Sequence, residues 1–91
     1  MNQTERIQEA LEQGNLPEWI SRKEVHLIED ASGEPAAEIS LIVRTGNDSV
    51  IEDGRALSRV RSQVHAVLAA AKVELWPYVA FLTEADAARQ S

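Results

Sequence analysis

Apolar residues recur along this chain with two different periods, and the switch between them marks out its elements. From Thr4 to Gln13 the apolar positions Ile7, Ala10 and Leu11 lie three and four apart, one face of a short helix. Gly14 follows at the place where a helix favours a left-handed terminal residue. Leu16-Pro17-Glu18-Trp19-Ile20 predicts a second short helical turn with Pro17 near its first position and Leu16, Trp19 and Ile20 on its inner side. An extended connector holding a buried Trp19 is the alternative for that segment. The period then drops to two. From Glu24 to Asp30, Val25 and Leu27 oppose His26 and Ile28; from Glu38 to Thr45, Ile39, Leu41 and Val43 oppose Ser40, Ile42 and Arg44. Between the two runs lies the turn cluster Asp30-Ala31-Ser32-Gly33-Glu34-Pro35, which predicts an antiparallel hairpin.

After the loop Thr45–Ser49 the helical period returns. Leu57, Val60, Val64, Val67, Leu68 and Ala71 form an apolar stripe over Arg55 to Lys72, with Arg59, Ser62, Gln63 and Ala66 turned outward. Such a helix runs about 27 Å, enough to cross a small sheet. Two starts are open: a capping box of Ser49 with Glu52, or Asp53 capping a helix that begins after Gly54. The apolar segment beyond it predicts a third strand from Trp76 or Tyr78 to Thr83. Pro77 lacks an amide donor, which confines that strand to an edge or makes Pro77 its entry point. Residues 84–91 are Ala-rich and polar, a tail that frays or forms a weak terminal helix, and residues 1–3 fray as well.

These elements define an α+β class, a single compact domain over 1–91 in the order α, short α, β, β, α, β. The sheet has three strands, mixed or antiparallel, with the long helix packed on one face and the N-terminal helices near the other. The third strand lies either beside the second and parallel to it, or beside the first and antiparallel to it. The edge that Pro77 requires favours the split arrangement, with the first strand in the centre.

The third strand is apolar on both faces. Val79 and Phe81 suit a core beneath the long helix, yet Trp76, Tyr78, Ala80 and Leu82 on the other face also need cover. Leu16, Trp19 and Ile20 could supply it, as could a second copy or a partner. Alternation places His26, Ser40 and Arg44 on that same face. The expected interaction surface is therefore Trp76, Tyr78 and Leu82 with His26 and Arg44 beside them, because aromatic residues concentrate at interface centres. The trio His26, Arg44 and Tyr78 also has the mixed composition of a small-ligand pocket or a minor enzyme site.

Composition narrows the chemistry. Ninety-one residues make one domain, and an apolar fraction of 44% against 26% charged belongs to a globular chain rather than a disordered one. The absence of cysteine removes thiolate metal sites and thiol nucleophiles. A formal charge of −6 opposes nucleic acid and anionic membranes. Arg44, Arg55, Arg59 and Arg61 are the one basic grouping, and they carry the alternative of nucleic-acid binding. The Gly-x-x-Gly loop and the aromatic motifs of the common RNA-binding folds are both missing.

His26 and His65 do not stand at metal-ligand spacing, the acidic loops lack the calcium-loop pattern, and no phosphate loop or nucleophile elbow occurs. The longest apolar run, Ala66 to Ala71, is far short of a membrane span, and the N-terminus has no signal-peptide pattern. The expectation is a cytoplasmic, non-enzymatic accessory or protein-interaction domain without cofactor or metal. It would act as a homodimer or as a subunit of a larger assembly.

Overall fold

Side-chain caps start all three α-helices of the described residues. In the computed structural model, which describes residues 2–90, Asn2 Oδ1 accepts the Glu5 N–H at 2.8 Å and begins α1 (Gln3–Gln13). Asp53 accepts the Ala56 N–H at 3.1 Å and begins α2 (Gly54–Ala70), while Thr83 accepts the Asp86 N–H at 3.1 Å and begins α3 (Glu84–Arg89). Of the two starts open for the long helix, the Asp53 cap is the one formed. Ser49 and Glu52 lie instead in a 3-10 turn over Asp48–Glu52. The tail that could have frayed is a capped helix as far as Arg89.

The segment from Leu16 to Trp19 is not a second helix. It is a turn closed by the Ile20 N–H on the Pro17 carbonyl at 3.1 Å, and β1 (Ile20–Glu29) starts at its end. The polar stretch Ser21-Arg22-Lys23-Glu24 hides this early start, because no apolar alternation shows until Val25. β2 (Pro35–Val43) pairs antiparallel with β1 and parallel with β3 (Trp76–Thr83), so the order is β1-β2-β3. The expectation of a central first strand is corrected: β2 is central. The edge that Pro77 requires exists in this order too, so the proline could not discriminate between the two.

Both long helices cover one face. Ile7 and Leu11 of α1 and Val60, Val64 and Leu68 of α2 share a single cluster with Val25, Ile39 and Leu41 of the sheet, all buried. Val79 and Phe81 pack against it as expected. The placing of the N-terminal helix near the opposite face is thus overturned. Leu16, Trp19 and Ile20 go to the same side, Trp19 stacking at a tilt on Phe81 with ring centroids 6.2 Å apart. The opposite face keeps only α3, whose one buried residue is Ala87.

Candidate functional site

The face turned away from α1 and α2 is built in rungs, because the register aligns one residue from each strand. Ile28, Ala36 and Trp76 form the first rung; His26, Glu38 and Tyr78 the second. Glu24, Ser40 and Ala80 form the third, and Arg22, Ile42 and Leu82 the fourth. Side chains in one rung stand about 5 Å apart, close enough to act on a common ligand.

α3 lies over the last two rungs. Its first residue, Glu84, accepts from Ser21 Oγ at 2.5 Å and from Arg22 Nη1 at 3.3 Å, which ties the helix to the start of β1. Ile42 beneath it is fully buried and Ser40 nearly so. Ala36 of the first rung is buried, whereas all three residues of the second rung are exposed, Tyr78 by 44%. A shallow cleft of about 360 Å³ runs between Tyr78, Glu38, Ile28 and Asp30. A second, of about 250 Å³, opens between the sheet and the end of α3. Glu38 borders both.

Of the residues anticipated for this face, His26 and Tyr78 meet in one rung, and Leu82 lies two rungs away, half-covered by α3. Trp76 begins in the first rung, but its ring packs edge-on against His65 of α2, with centroids 5.0 Å apart. That contact draws the indole to the free edge of β3, beside the helix layer.

Arg44 does not belong to the site. It follows the end of β2, where its N–H donates to the Trp19 carbonyl at 2.7 Å and its Nε to the Glu18 carbonyl at 3.0 Å. Six residues separate it from Glu38, about 20 Å along an extended strand. The pocket of His26, Arg44 and Tyr78 is therefore not assembled. The basic grouping is divided as well: Arg44 is held by Glu18, Arg61 lies 5.0 Å above the Phe81 ring, and Arg55 and Arg59 are exposed on α2.

Glu38, missed as a site residue, is the central side chain. Its position in alternation with Ser40 would have placed it here, but it reads in the sequence as one of several turn carboxylates. The face is acidic: Glu24, Glu38, Asp30 and Glu84 surround it, and Arg22 is already shared between Glu24 at 3.1 Å and Glu84 at 3.3 Å. Glu38 has no ion-pair partner among the described residues. No three His, Asp or Glu side chains among those residues converge closely enough to hold a metal ion, and no helix is long and apolar enough to cross a membrane.

Asp30 organises the hairpin turn at the top of the face. Its Oδ1 accepts from Ser32 Oγ at 2.6 Å, from the Ser32 N–H at 2.9 Å and from the Glu34 N–H at 3.1 Å. The Ser32 hydroxyl, helped by the two backbone donors and the Tyr78 hydroxyl, holds the Asp30 carboxyl below its ordinary value against the desolvation that pulls the other way. A carboxylate favoured in the folded state adds stability above its unfolded pKa, and that increment disappears as pH falls through the lower folded pKa. Asp30→Ala is accordingly expected to lower Tm near neutral pH, the difference from wild type shrinking as the medium is acidified below the ordinary aspartate range. Thermal unfolding followed by circular dichroism across that range measures it; a difference independent of pH would contradict the assignment.

No protein-family model matches the chain, and no curated protein or solved structure is significantly similar to it.

Proposed function

We propose that the chain is a protein-interaction module that docks a basic, partly apolar segment of a partner protein on the open half of its sheet. One observation carries this reading: the uncovered rung of His26, Glu38 and Tyr78 sets an exposed aromatic ring beside a carboxylate without an ion-pair partner among the described residues. A tyrosine half-exposed on the edge strand of an open sheet face has the form of an interface anchor, with apolar area and a polar tip on a stiff side chain. The surrounding carboxylates select the sign of what approaches.

They also choose between a second copy and a different chain. Two copies meeting face to face would oppose Glu24, Glu38 and Asp30 with the same groups, so the partner is a chain of opposite charge. The wild-type protein is then a monomer by light scattering. Peptides selected for binding from a random display library should be enriched in Lys and Arg next to apolar residues. Tyr78→Glu, which keeps the fold by circular dichroism, should weaken the selected peptides by roughly 30-fold or more, the scale of an interface anchor. Selected peptides without charge bias, or a dimer that Tyr78→Glu dissociates, would overturn the reading.

A further inference from the structure

We infer that the free edge of β3 takes an extended segment of the basic partner as a fourth strand of the sheet, a mode of binding that rests on the docking reading above. The hydrogen-bonding phase of the sheet fixes which backbone groups are on offer. The Asp30 N–H donates to the Glu34 carbonyl at 2.9 Å, so the hydrogen-bonded pairs of the hairpin are those in step with it: Ile28 with Ala36, His26 with Glu38 and Glu24 with Ser40. Backbone groups alternate sides along a strand, so Ala37, Ile39 and Leu41 of β2 turn theirs to β3. In a parallel pair a residue bonds to the two neighbours of its register partner. Ala37, Ile39 and Leu41 stand in register with Pro77, Val79 and Phe81; Tyr78 and Ala80 therefore bond to β2, while Pro77, Val79 and Phe81 point their backbone groups away from the sheet. Pro77, which has no N–H to give, falls in the outward set.

The outward N–H groups of Val79 and Phe81 and the carbonyls of Pro77, Val79 and Phe81 meet no hydrogen-bond partner among the described residues. This edge also lacks the devices that ordinarily keep other strands away. Its eight residues include no charged side chain, and Val79 and Phe81 stay only half-buried although they pack on the core. The other edge, β1, is blunted by Arg22, Lys23 and Glu24 and by the irregularity between Ile20 and Arg22. A row of unpaired donors and acceptors selects an extended backbone as its occupant. Charge selects whose backbone: a second copy would bring −6 against −6, whereas a basic segment is drawn in. The basic residues of that segment then lie beside Tyr78 on the acidic face, and the apolar ones between them lie beside Val79 and Phe81.

The test is amide hydrogen exchange by NMR on the full-length, unaltered protein, with an acetylated and amidated hexapeptide of alternating Lys and Val as the probe. Saturating peptide is expected to slow exchange at Val79 and Phe81 by about tenfold or more, with little change at Tyr78 and Ala80, which are already bonded to β2. Two forms of the peptide, one N-methylated on the backbone at every Lys and one at every Val, should differ in affinity by about tenfold or more, because only one set of N–H groups faces β3. A hexapeptide of alternating Thr and Val separates the strand from the charge. If it binds as tightly and gives the same protection, the added strand stands and the basic docking reading falls. Binding of the Lys-Val peptide without protection at Val79 and Phe81, or equal affinities of the two methylated forms, overturns the added strand and leaves the docking reading in place. Protection at Lys23, Val25 and Leu27 instead would move the segment to β1, and protection that rises with protein concentration alone would give the edge to a second copy; either overturns the proposal. Absence of binding by both peptides overturns it as well.

Discussion

Ile39→Ala is expected to cost the fold about 2–5 kcal/mol, the range for truncating a large aliphatic side chain that no neighbour can replace. Ile39 has zero exposure and sits in the central strand, between Val25 on one side and Val79 on the other, beneath both long helices. A domain of this length holds roughly 5–14 kcal/mol in all, so the variant loses a large share of its margin. At about 4–8 °C per kcal/mol, Tm falls by 8 °C or more. Leu27→Ala is the internal control. Leu27 lies on the same face, two residues beyond Val25, but is 50% exposed, so its loss should cost under about 1 kcal/mol. Urea unfolding with a common m-value measures both. Equal costs would mean that the helices do not cover the sheet where Ile39 lies.

α1, α2, the hairpin and the third strand were legible because each carries its own period. Ile7 and Leu11, then Val60, Val64 and Leu68, then Val25, Ile39 and Leu41 are spaced for the faces they bury. The third strand's end at Thr83 was legible for the same reason, and Trp76 is the one of its two expected starts that is formed. What stayed hidden depends on relations between elements. The amphipathic stripe of α1 says that it needs a core, not which face of the sheet provides one. Pro77 calls for an edge, and both strand orders offer it. Trp76 alternates with Tyr78, yet an imidazole on another element, His65, decides where its ring goes.

The candidate face divides along the same line. Alternation brought His26 and Tyr78 together, and the register that seats Glu38 between them is a long-range fact of the fold. Arg44 was misplaced because alternation was carried one residue past the strand. Ser40 gave no signal, since a serine in a strand is unremarkable until the fold is seen to bury the residue. The helix that creates the cleft beside it was the weakest element in the sequence, and a threonine cap, the Glu84 carboxylate and the buried Ala87 help to hold it down.

Gly14→Ala is expected to destabilise the protein by about 1–3 kcal/mol, the cost of forcing an added methyl group into a packed contact. The sign is informative. Gly14 has φ −82° and ψ 0°, a conformation open to alanine, and the left-handed residue that ends α1 is Asn15 with φ 54°. On backbone grounds alone the substitution would be stabilising by roughly 0.4–1 kcal/mol through the unfolded chain. Space decides otherwise. A methyl group on Gly14 would lie 2.7 Å from Val67 Cγ2 and 3.3 Å from the Ala10 carbonyl oxygen.

Val67 cannot swing clear, because a β-branched side chain in a helix is held to one strongly preferred rotamer. The Gly14 carbonyl also accepts from Gln63 Nε2 at 2.8 Å, so the end of α1 is bound to α2 and cannot retreat without losing that bond. Val67→Ala in the Gly14→Ala background should therefore recover part of the loss, with a coupling of about 0.5–3 kcal/mol in the double-mutant cycle by urea unfolding. A stabilising Gly14→Ala, or additive effects, would place α1 further from α2 than this contact allows. Such a result would leave Ile7, Ala10 and Leu11, with the Arg6 bond to the Ala71 carbonyl, to seat α1 on the core.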